Sequence, residues 1–281
     1  MAFQDVVMAY QGSLIWILLF QTIFWSYLLF VGKAVSSVFP TLNRGDQAYW
    51  SSCVTSIVHA FIVFSYSLYA GISGGLFISD DLRLATPESA AALSVFLAYM
   101  THDMVLITLY RKEWPGFTLF LIHHLACSCV ADFIAHGWSH NLGLAILLFE
   151  GAAPFVNLRW LLSAMKLQHT RLYTINGVCL LLSWFIFRIV WATYVVAWIF
   201  RMRQQVFKLP WFSCYISVFG TAVLGYSFQW FWFMKILRGA LKLFLPTNAS
   251  KTKRLNVHVQ VVSSQNPVKN YEGGNGGKKV T

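Results

Sequence analysis

The sequence predicts an all-α, polytopic membrane protein with about seven transmembrane helices. Of its 281 residues, 57% are hydrophobic and 11% are charged, whereas soluble domains carry roughly 25% charged residues. Several apolar runs reach the roughly 20 residues that a helix needs to cross a bilayer core about 30 Å thick. Six of the seven prolines lie between these runs or in the C-terminal tail, where a missing backbone donor costs least. These observations favour one membrane domain over soluble domains.

The apolar runs define seven predicted spans, numbered one to seven in chain order. The first run follows a start without Lys or Arg and lacks a small-residue cleavage site, so it is expected to remain as a membrane anchor. Pro154 is the one proline inside a span. The predicted spans cover residues 13–32, 49–71, 88–110, 117–137, 139–165, 173–200 and 211–234.

Positive charge is distributed unevenly between the two ends of the spans. The odd-numbered connections and the proximal tail carry twelve Lys or Arg residues, and the opposite side carries four. The positive-inside rule then predicts a lumenal or external N-terminus and a cytosolic C-terminus. The sixth connection carries three of the four positive residues on the opposite side and therefore argues against this orientation. If the last two spans were a single span, the C-terminal tail would lie on the other side of the membrane. The net charge of +11 does not indicate nucleic-acid binding, because the basic residues lie between apolar runs and in the tail.

The C-terminal tail, residues 241–281, is basic and Gly-rich, and it is expected to be disordered because it cannot bury a core. It ends in Lys278-Lys279-Val280-Thr281, which resembles the dilysine retrieval signal of endoplasmic reticulum membrane proteins. Coat machinery reads that signal on a cytosolic C-terminus, which is where the charge count puts the tail. The alternative is a chance pair of lysines in a Lys-rich tail.

Ionisable residues occur at several positions inside the predicted spans. Each costs roughly 2.5 to 3.5 kcal/mol on insertion scales, so it is expected to face the bundle interior and to have a partner or a function. At a rise of about 1.5 Å per residue, those of spans two to four, with Asn157 of span five, fall in one layer of the cytosolic half of the membrane. This convergence favours a cavity. The residues are His59, His102, Asp103, His123, His124, Glu150 and Arg188, with Asp132 and Arg159 closer to helix ends.

The adjacent histidines allow two interpretations. Neighbouring helical residues point about 100° apart, so one of His123 and His124 faces a cavity while the other contacts an adjoining helix. His124 and Ser128 share a helix face. In an enzyme, a neutral imidazole near Asp103 would act as general base toward a hydroxyl or amine. Otherwise the imidazoles satisfy one another and backbone carbonyls between helices.

Metal binding and disulfide formation find little support in the sequence. No His-x3-His repeat is present, and the five cysteines are odd in number, lie in apolar runs and lack metal-ligand spacing. The cysteines are expected to be reduced packing residues.

Glu150 and Pro154 predict a break in span five. Proline has no N–H to donate to the carbonyl of Glu150 four residues earlier, so a kink is expected that leaves a backbone acceptor and a carboxyl group at one level. The carboxyl is either a ligand or proton site, or the partner of Arg188 in a structural ion pair between spans five and six.

Two segments carry a family resemblance. Phe120-Leu-Ile-His-His-Leu-Ala-Cys-Ser128 and Leu148-Phe-Glu-Gly-Ala-Ala-Pro-Phe-Val-Asn-Leu-Arg-Trp160 resemble the core of the TLC domain (TRAM, Lag and CLN). The resemblance covers residues 45–240, which would hold six spans, and residues 1–44 form an N-terminal segment with the first span. The chain is most similar to the small TLC-domain-containing membrane proteins.

The resemblance implies an endoplasmic reticulum membrane protein whose helices form a barrel around a lipid-accessible cavity. Its implied role is lipid homeostasis, by binding or sensing membrane lipids, and no cofactor is implied. The side chains expected to line the cavity and contact the lipid are His59, His102, Ser128, Glu150, Asn157 and Arg188.

Ceramide synthases of the same family use paired histidines to transfer an acyl group from acyl-CoA to a sphingoid base. The catalytic residues in that case would be His123, His124 and Asp103. Those enzymes have an Asp-rich stretch where residues 148–154 contain a single Glu, and this difference favours lipid binding over acyl transfer. A cargo receptor of the endoplasmic reticulum is the third alternative.

Overall fold

Seven helical spans make up most of the computed structural model, which describes residues 3–114 and 116–244. Every regular element in these residues is helical, and each span is long and apolar enough to cross a membrane. The prediction of an all-α, seven-span membrane protein is therefore confirmed. The spans are Gln4–Val35, Arg44–Ser73, Pro87–Leu109, Phe117–His136, His140–Ala164, Arg171–Arg201 and Trp211–Leu241.

Spans two and three are continuous α-helices, Arg44–Ser73 and Pro87–Leu109, whereas the other five change geometry along their length. In span one, π-helix Tyr27–Val31 separates α-helices Phe3–Ser26 and Gly32–Val35; span four consists of Phe117–Ser128 and Val130–His136. In span five, a 3-10 turn, Leu148–Ala152, separates His140–Leu147 and Ala153–Ala164. Span six contains π-helix Trp184–Val190 between Arg171–Ser183 and Trp191–Arg201. Span seven contains π-helix Ile216–Gly225 between Trp211–Tyr215 and Tyr226–Phe244. Two short helices, Phe39–Thr41 and Arg203–Val206, lie in the connections between spans.

Capping side chains explain where spans two and three begin. The Asn43 side chain accepts a hydrogen bond from the backbone N–H of Asp46. Thr86 and Ser89 form a reciprocal capping box around the first turn of span three.

Span one begins at Phe3, so its predicted start at residue 13 was wrong. The polar residues before residue 13 continue the helix instead of preceding it.

Spans two to seven form a ring in the order two, three, four, seven, six, five. Span two packs against three and five, span three against four, and span five against six. Trp184 of span six donates to the Gln229 carbonyl of span seven at 3.2 Å, and Ser213 of span seven donates to Asp132 of span four. Span one lies outside this ring, against spans three and two. Spans two to six, and span seven as far as Ile236, belong to one compact unit, Met1–Ile236.

Different contacts join the spans at the two ends of the ring. The end formed by connections two, four and six is named the even-loop end. At this end the Ser139 N–H donates to the Leu82 carbonyl at 2.6 Å. His140 Nδ1 lies 2.7 Å from the Ser89 hydroxyl, and its Nε2 lies 3.1 Å from the Phe133 carbonyl. His140 therefore joins the starts of spans three and five to span four.

Asp80 in connection two extends these links to span six. Its carboxylate accepts hydrogen bonds from Trp198 at 2.9 Å and from Arg201 at 2.6 Å. The bond from Trp198, followed by those from Arg201, lowers the pKa of Asp80. The Gln205 side chain donates to the Asp80 carbonyl at 2.7 Å, so connections two and six are held together.

At the opposite, odd-loop end, aromatic rings join spans two, three and five. The Tyr49 ring lies 5.2 Å from that of Trp114 and 4.7 Å from that of Trp160. Trp114 Nε1 donates to the Gly45 carbonyl at 3.0 Å. These contacts fix span three beside span two near the level of the histidines.

Candidate functional site

Asp103 and His124 form the polar centre of the ring interior. Asp103 Oδ2 lies 2.8 Å from His124 Nε2, linking spans three and four, and both side chains are buried. The other carboxylate oxygen accepts a hydrogen bond from Ser52 of span two at 3.2 Å. His124 Nδ1 lies 2.8 Å from the Phe120 carbonyl, one turn earlier on its own helix. Three spans therefore meet at one carboxyl group.

The hydrogen bonds of His124 determine what its ring can do. A carbonyl oxygen only accepts, so Nδ1 carries a hydrogen. One further proton is shared between Nε2 and Asp103, and the pair has no net charge whichever atom carries it. Neither nitrogen of His124 retains an unoccupied lone pair with which to take a proton from a substrate in this arrangement.

His123 differs from its neighbour in orientation and exposure. The two imidazole rings are 5.5 Å apart and nearly perpendicular, at 88°, as expected for adjacent residues on a helix. The His123 side chain is exposed, and its Nε2 lies 3.7 Å from the Cys127 thiol. His124, Arg188 and Asp103 lie within electrostatic range of the ring. His123 is therefore an accessible imidazole close to the buried charges.

Arg188 and Glu150 join spans five and six, as one of the two sequence interpretations expected. Arg188 Nη2 lies 3.3 Å from Glu150 Oε1. Its Nε donates to the Phe149 carbonyl at 2.9 Å, and its Nη1 donates to Gln229 Oε1 of span seven at 3.5 Å. The guanidinium also lies 4.8 Å from the Trp184 ring. Arg188 thus connects spans five, six and seven.

The predicted break in span five is present at Leu148–Ala152, with Pro154 in the first turn of the helix that follows. The prediction that proline leaves the Glu150 carbonyl without a donor was wrong. The Ala153 N–H donates to that carbonyl, because a 3-10 turn pairs residues three apart. The carbonyl that receives a side chain is that of Phe149, through Arg188.

Asn157 and Ser128 take part in local hydrogen bonds. Asn157 Nδ2 donates to the Ser56 hydroxyl of span two and to the Ala153 carbonyl, both at 3.0 Å. Ser128 donates to the backbone carbonyl of His124 at 2.8 Å. Asn157 therefore supports the contact between spans two and five, whereas Ser128 bonds within span four.

His59 and His102 lie in an aromatic cluster between spans one, two and three. Both are fully buried. The His59 ring stacks on that of Tyr99 at 3.7 Å, and the His102 ring lies about 6 Å from those of Phe20 and Phe24. Neither imidazole has a hydrogen-bond partner in the described part of the chain. The structure does not bring these rings to the exposed His123, and their nitrogens remain unsatisfied.

Several interior residues were absent from the sequence prediction. Ser52, Cys127 and Gln229 each contact a predicted site residue. Gln229 carried a usable signal, because an amide within an apolar run is expected to find a partner. Within residues 3–114 and 116–244, no cluster of three His, Cys, Asp or Glu residues is arranged to hold a metal ion. The predicted retrieval signal, Lys278 and Lys279, lies outside the described residues.

Over more than half of its length the sequence matches a known domain family. The sequence profile of the TLC domain matches residues 49–238. This chain belongs to the TLC-domain family. The match covers most of span two, spans three to six and most of span seven, and it leaves span one outside, as the ring does.

Curated relatives extend the similarity over most of the chain. TLC domain-containing protein 4 of Homo sapiens is 28% identical over 260 residues, which are 83% of this chain and 90% of the human protein. TLC domain-containing protein 4-B of Xenopus laevis is 26% identical over 84% of this chain and 91% of its own length. TLC domain-containing protein 2 of Danio rerio is 23% identical over 66% of this chain and 74% of its own length.

Proposed function

We propose that this TLC-domain protein binds a membrane lipid inside the ring and thereby acts in lipid homeostasis. The observation that carries the proposal is the accessible imidazole of His123 beside the buried pair Asp103–His124 and the partly buried pair Glu150–Arg188. A lipid headgroup would contact His123 while its chains lie along apolar helix faces.

The charges of the interior favour a headgroup without net charge. Each of the two pairs is neutral as a whole, so neither offers an unmatched charge to an ionic ligand. Moving an uncompensated ion out of water is costly. A hydroxylated or zwitterionic headgroup can exchange hydrogen bonds with His123 without that cost.

The test is recovery of the lipid with purified protein. Protein isolated in mild detergent is analysed by native mass spectrometry, and the bound lipid is identified after extraction. The expected result is one lipid per chain with wild type and strong depletion with His123→Ala. His136→Ala is the matched control, because His136 is an exposed histidine near the even-loop end of the same span. Equal lipid recovery from all three proteins would reject the interior site.

A ceramide-synthase-like acyltransferase is the second candidate, favoured by the same accessible imidazole. The amine of a sphingoid base would attack the thioester carbonyl of acyl-CoA, forming the amide as the carbon–sulfur bond breaks. His123 would take the amine proton and pass it to the departing thiolate. His124 and Asp103 would position span four, since the lone pairs of His124 are already occupied.

An assay with radiolabelled acyl-CoA and sphingoid bases separates the two candidates. Acyl transfer by wild type that falls at least about 100-fold in His123→Ala, at unchanged protein abundance, would support catalysis. Turnover by wild type equal to that of His123→Ala would leave lipid binding without chemistry. A cargo receptor would show neither bound lipid nor turnover.

The proposed location is the endoplasmic reticulum, with the odd-loop end and the C-terminus in the cytosol. The charge distribution and Lys278-Lys279 support this arrangement. Replacing both lysines by serine is expected to move the protein out of the endoplasmic reticulum without changing its unfolding temperature. Unchanged localisation would show that the lysine pair is not a signal.

A further inference from the structure

The charges of the second half of the chain are almost entirely of one sign. Between Glu150 and Glu272 there is no Asp or Glu, whereas fourteen Lys or Arg residues occur. Two of these cations reach carboxylates from earlier in the sequence, Arg188 to Glu150 and Arg201 to Asp80. Arg159 has no carboxylate partner among the residues that the structure describes.

Arg159 is nevertheless held in a fixed position near the odd-loop end of span five. Its guanidinium lies 4.1 Å from the centre of the Tyr173 ring, at the start of span six. Gly177, one turn further along, leaves room for the guanidinium, because a Cβ at that position would lie 2.8 Å from Arg159 Nη1. A positive charge is thus placed in a notch of span six.

The hydrogen-bond capacity of this guanidinium is not met by the described chain. Arg159 Nη1 is buried and has no partner there. The Asn176 side-chain oxygen, next to Gly177, is likewise buried and unpartnered. A bridging water could satisfy that neutral oxygen and one donor of Arg159. It would not match the charge of this partly exposed guanidinium, which an anion would do.

We propose that Arg159 binds a phosphate group at the odd-loop junction of spans five and six. A guanidinium presents paired donors that match a phosphate in bidentate geometry. The connection between these spans adds Lys166 and Arg171 and contains no acid, so the local field attracts anions. The phosphate belongs to a lipid headgroup or to a soluble phosphate compound. The site is separate from the interior site at His123.

The test uses purified full-length protein titrated by native mass spectrometry with short-chain phosphatidic acid and, separately, with inorganic phosphate. Arg159→Gln is expected to weaken phosphate binding at least about tenfold, the effect of losing a charge-assisted hydrogen bond. Gly177→Ala keeps the charge but displaces the guanidinium, so it should also weaken binding. Arg171→Gln removes an exposed charge from the same connection and should change binding less than twofold.

The two titrations distinguish the sources of the phosphate. Arg159-dependent binding of phosphatidic acid that inorganic phosphate does not displace indicates a lipid headgroup. Arg159-dependent binding of inorganic phosphate itself indicates a soluble compound. Equal binding by wild type, Arg159→Gln and Gly177→Ala would overturn the proposal, and so would equal losses in Arg159→Gln and Arg171→Gln. His123→Ala should bind phosphate normally, so failure of the interior site would remain distinguishable.

Discussion

Asp103 and His124 share one proton across spans three and four, because the imidazole faces the carboxylate at 2.8 Å and the Phe120 carbonyl at 2.8 Å. The pair is uncharged as a unit and is connected to span two through Ser52. Removing either member therefore has a different effect from replacing it with a group that preserves the hydrogen bonds.

His124→Ala is expected to lower stability much more than Asp103→Asn. Alanine leaves a buried carboxylate without its partner, which costs about 3–5 kcal/mol. Asparagine can donate to His124 Nε2 and still accept from Ser52, so its expected cost is about 1 kcal/mol. Thermal unfolding in one detergent measures both, and an Asp103→Asn protein as unstable as His124→Ala would contradict the shared-proton arrangement.

Arg188→Met is expected to be more damaging than Glu150→Gln. Arg188 donates to acceptors in spans five and seven, whereas Glu150 has one partner in Arg188. Methionine leaves Glu150 as an unpaired carboxylate at an expected cost of about 3–5 kcal/mol. Glutamine removes the counter-charge of Arg188 but can still accept from it, and the donations of Arg188 to Phe149 and Gln229 remain, so the expected cost is smaller. Equal unfolding temperatures for the two variants would show that the guanidinium does not join the spans.

Gly151→Ala is expected to destabilise the junction of spans two, five and six by about 1–3 kcal/mol. A Cβ at Gly151 would lie 2.8 Å from the Phe187 ring and 2.9 Å from the Phe64 ring. Gly239→Ala is the matched helical control, since its Cβ would meet no atom of the described residues within 4 Å. The control should be neutral or stabilising, because alanine favours helix over glycine. Chemical or thermal unfolding of the two variants checks the difference.

Acid is expected to weaken the contact between connections two and six. The pKa of Asp80 is lower in the folded protein than in the unfolded chain, so its contribution is present above about pH 4 and is lost as pH falls below it. Between about pH 5 and pH 3, wild type should therefore lose more thermal stability than Asp80→Asn, because Asp80 takes up a proton as the pH falls and asparagine has no carboxylate to protonate. If the stability of wild type and of Asp80→Asn fell equally with pH, the ion pair between Asp80 and Arg201 would not be the cause of the acid sensitivity. High salt should reduce the difference in acid sensitivity between wild type and Asp80→Asn, because the pair is exposed.

The spans were predictable because their signal is carried by residues close together in the sequence. The apolar runs and the prolines between them located all seven spans. Pro154 indicated the irregular turn of span five. The start of span one was missed because hydropathy marks the apolar core of a helix rather than its first turn, and the helix continues to Phe3.

The interior was only partly predictable because it depends on which faces of different helices meet. Depth along the spans correctly grouped Asp103 with His124, whose contact the structure contains. Depth gave no information on rotation about the helix axes, which turns His59 and His102 toward Phe20. The role of Ser52 depends on the rotation of span two, and a serine in a span is too common to reveal it.

The break in span four separates two segments with different neighbours. Val130–His136 is tied to span seven through Asp132 and to span one through the Tyr10 hydroxyl and the Ala131 carbonyl. Phe117–Ser128, which carries both central histidines, packs chiefly against span three. It lies between Gly116, which has a left-handed φ of 85°, and the turn at Cys129. The half-helix that carries both central histidines is thus attached through span three, by packing and by the Asp103–His124 pair, whereas the other half is attached to spans one and seven.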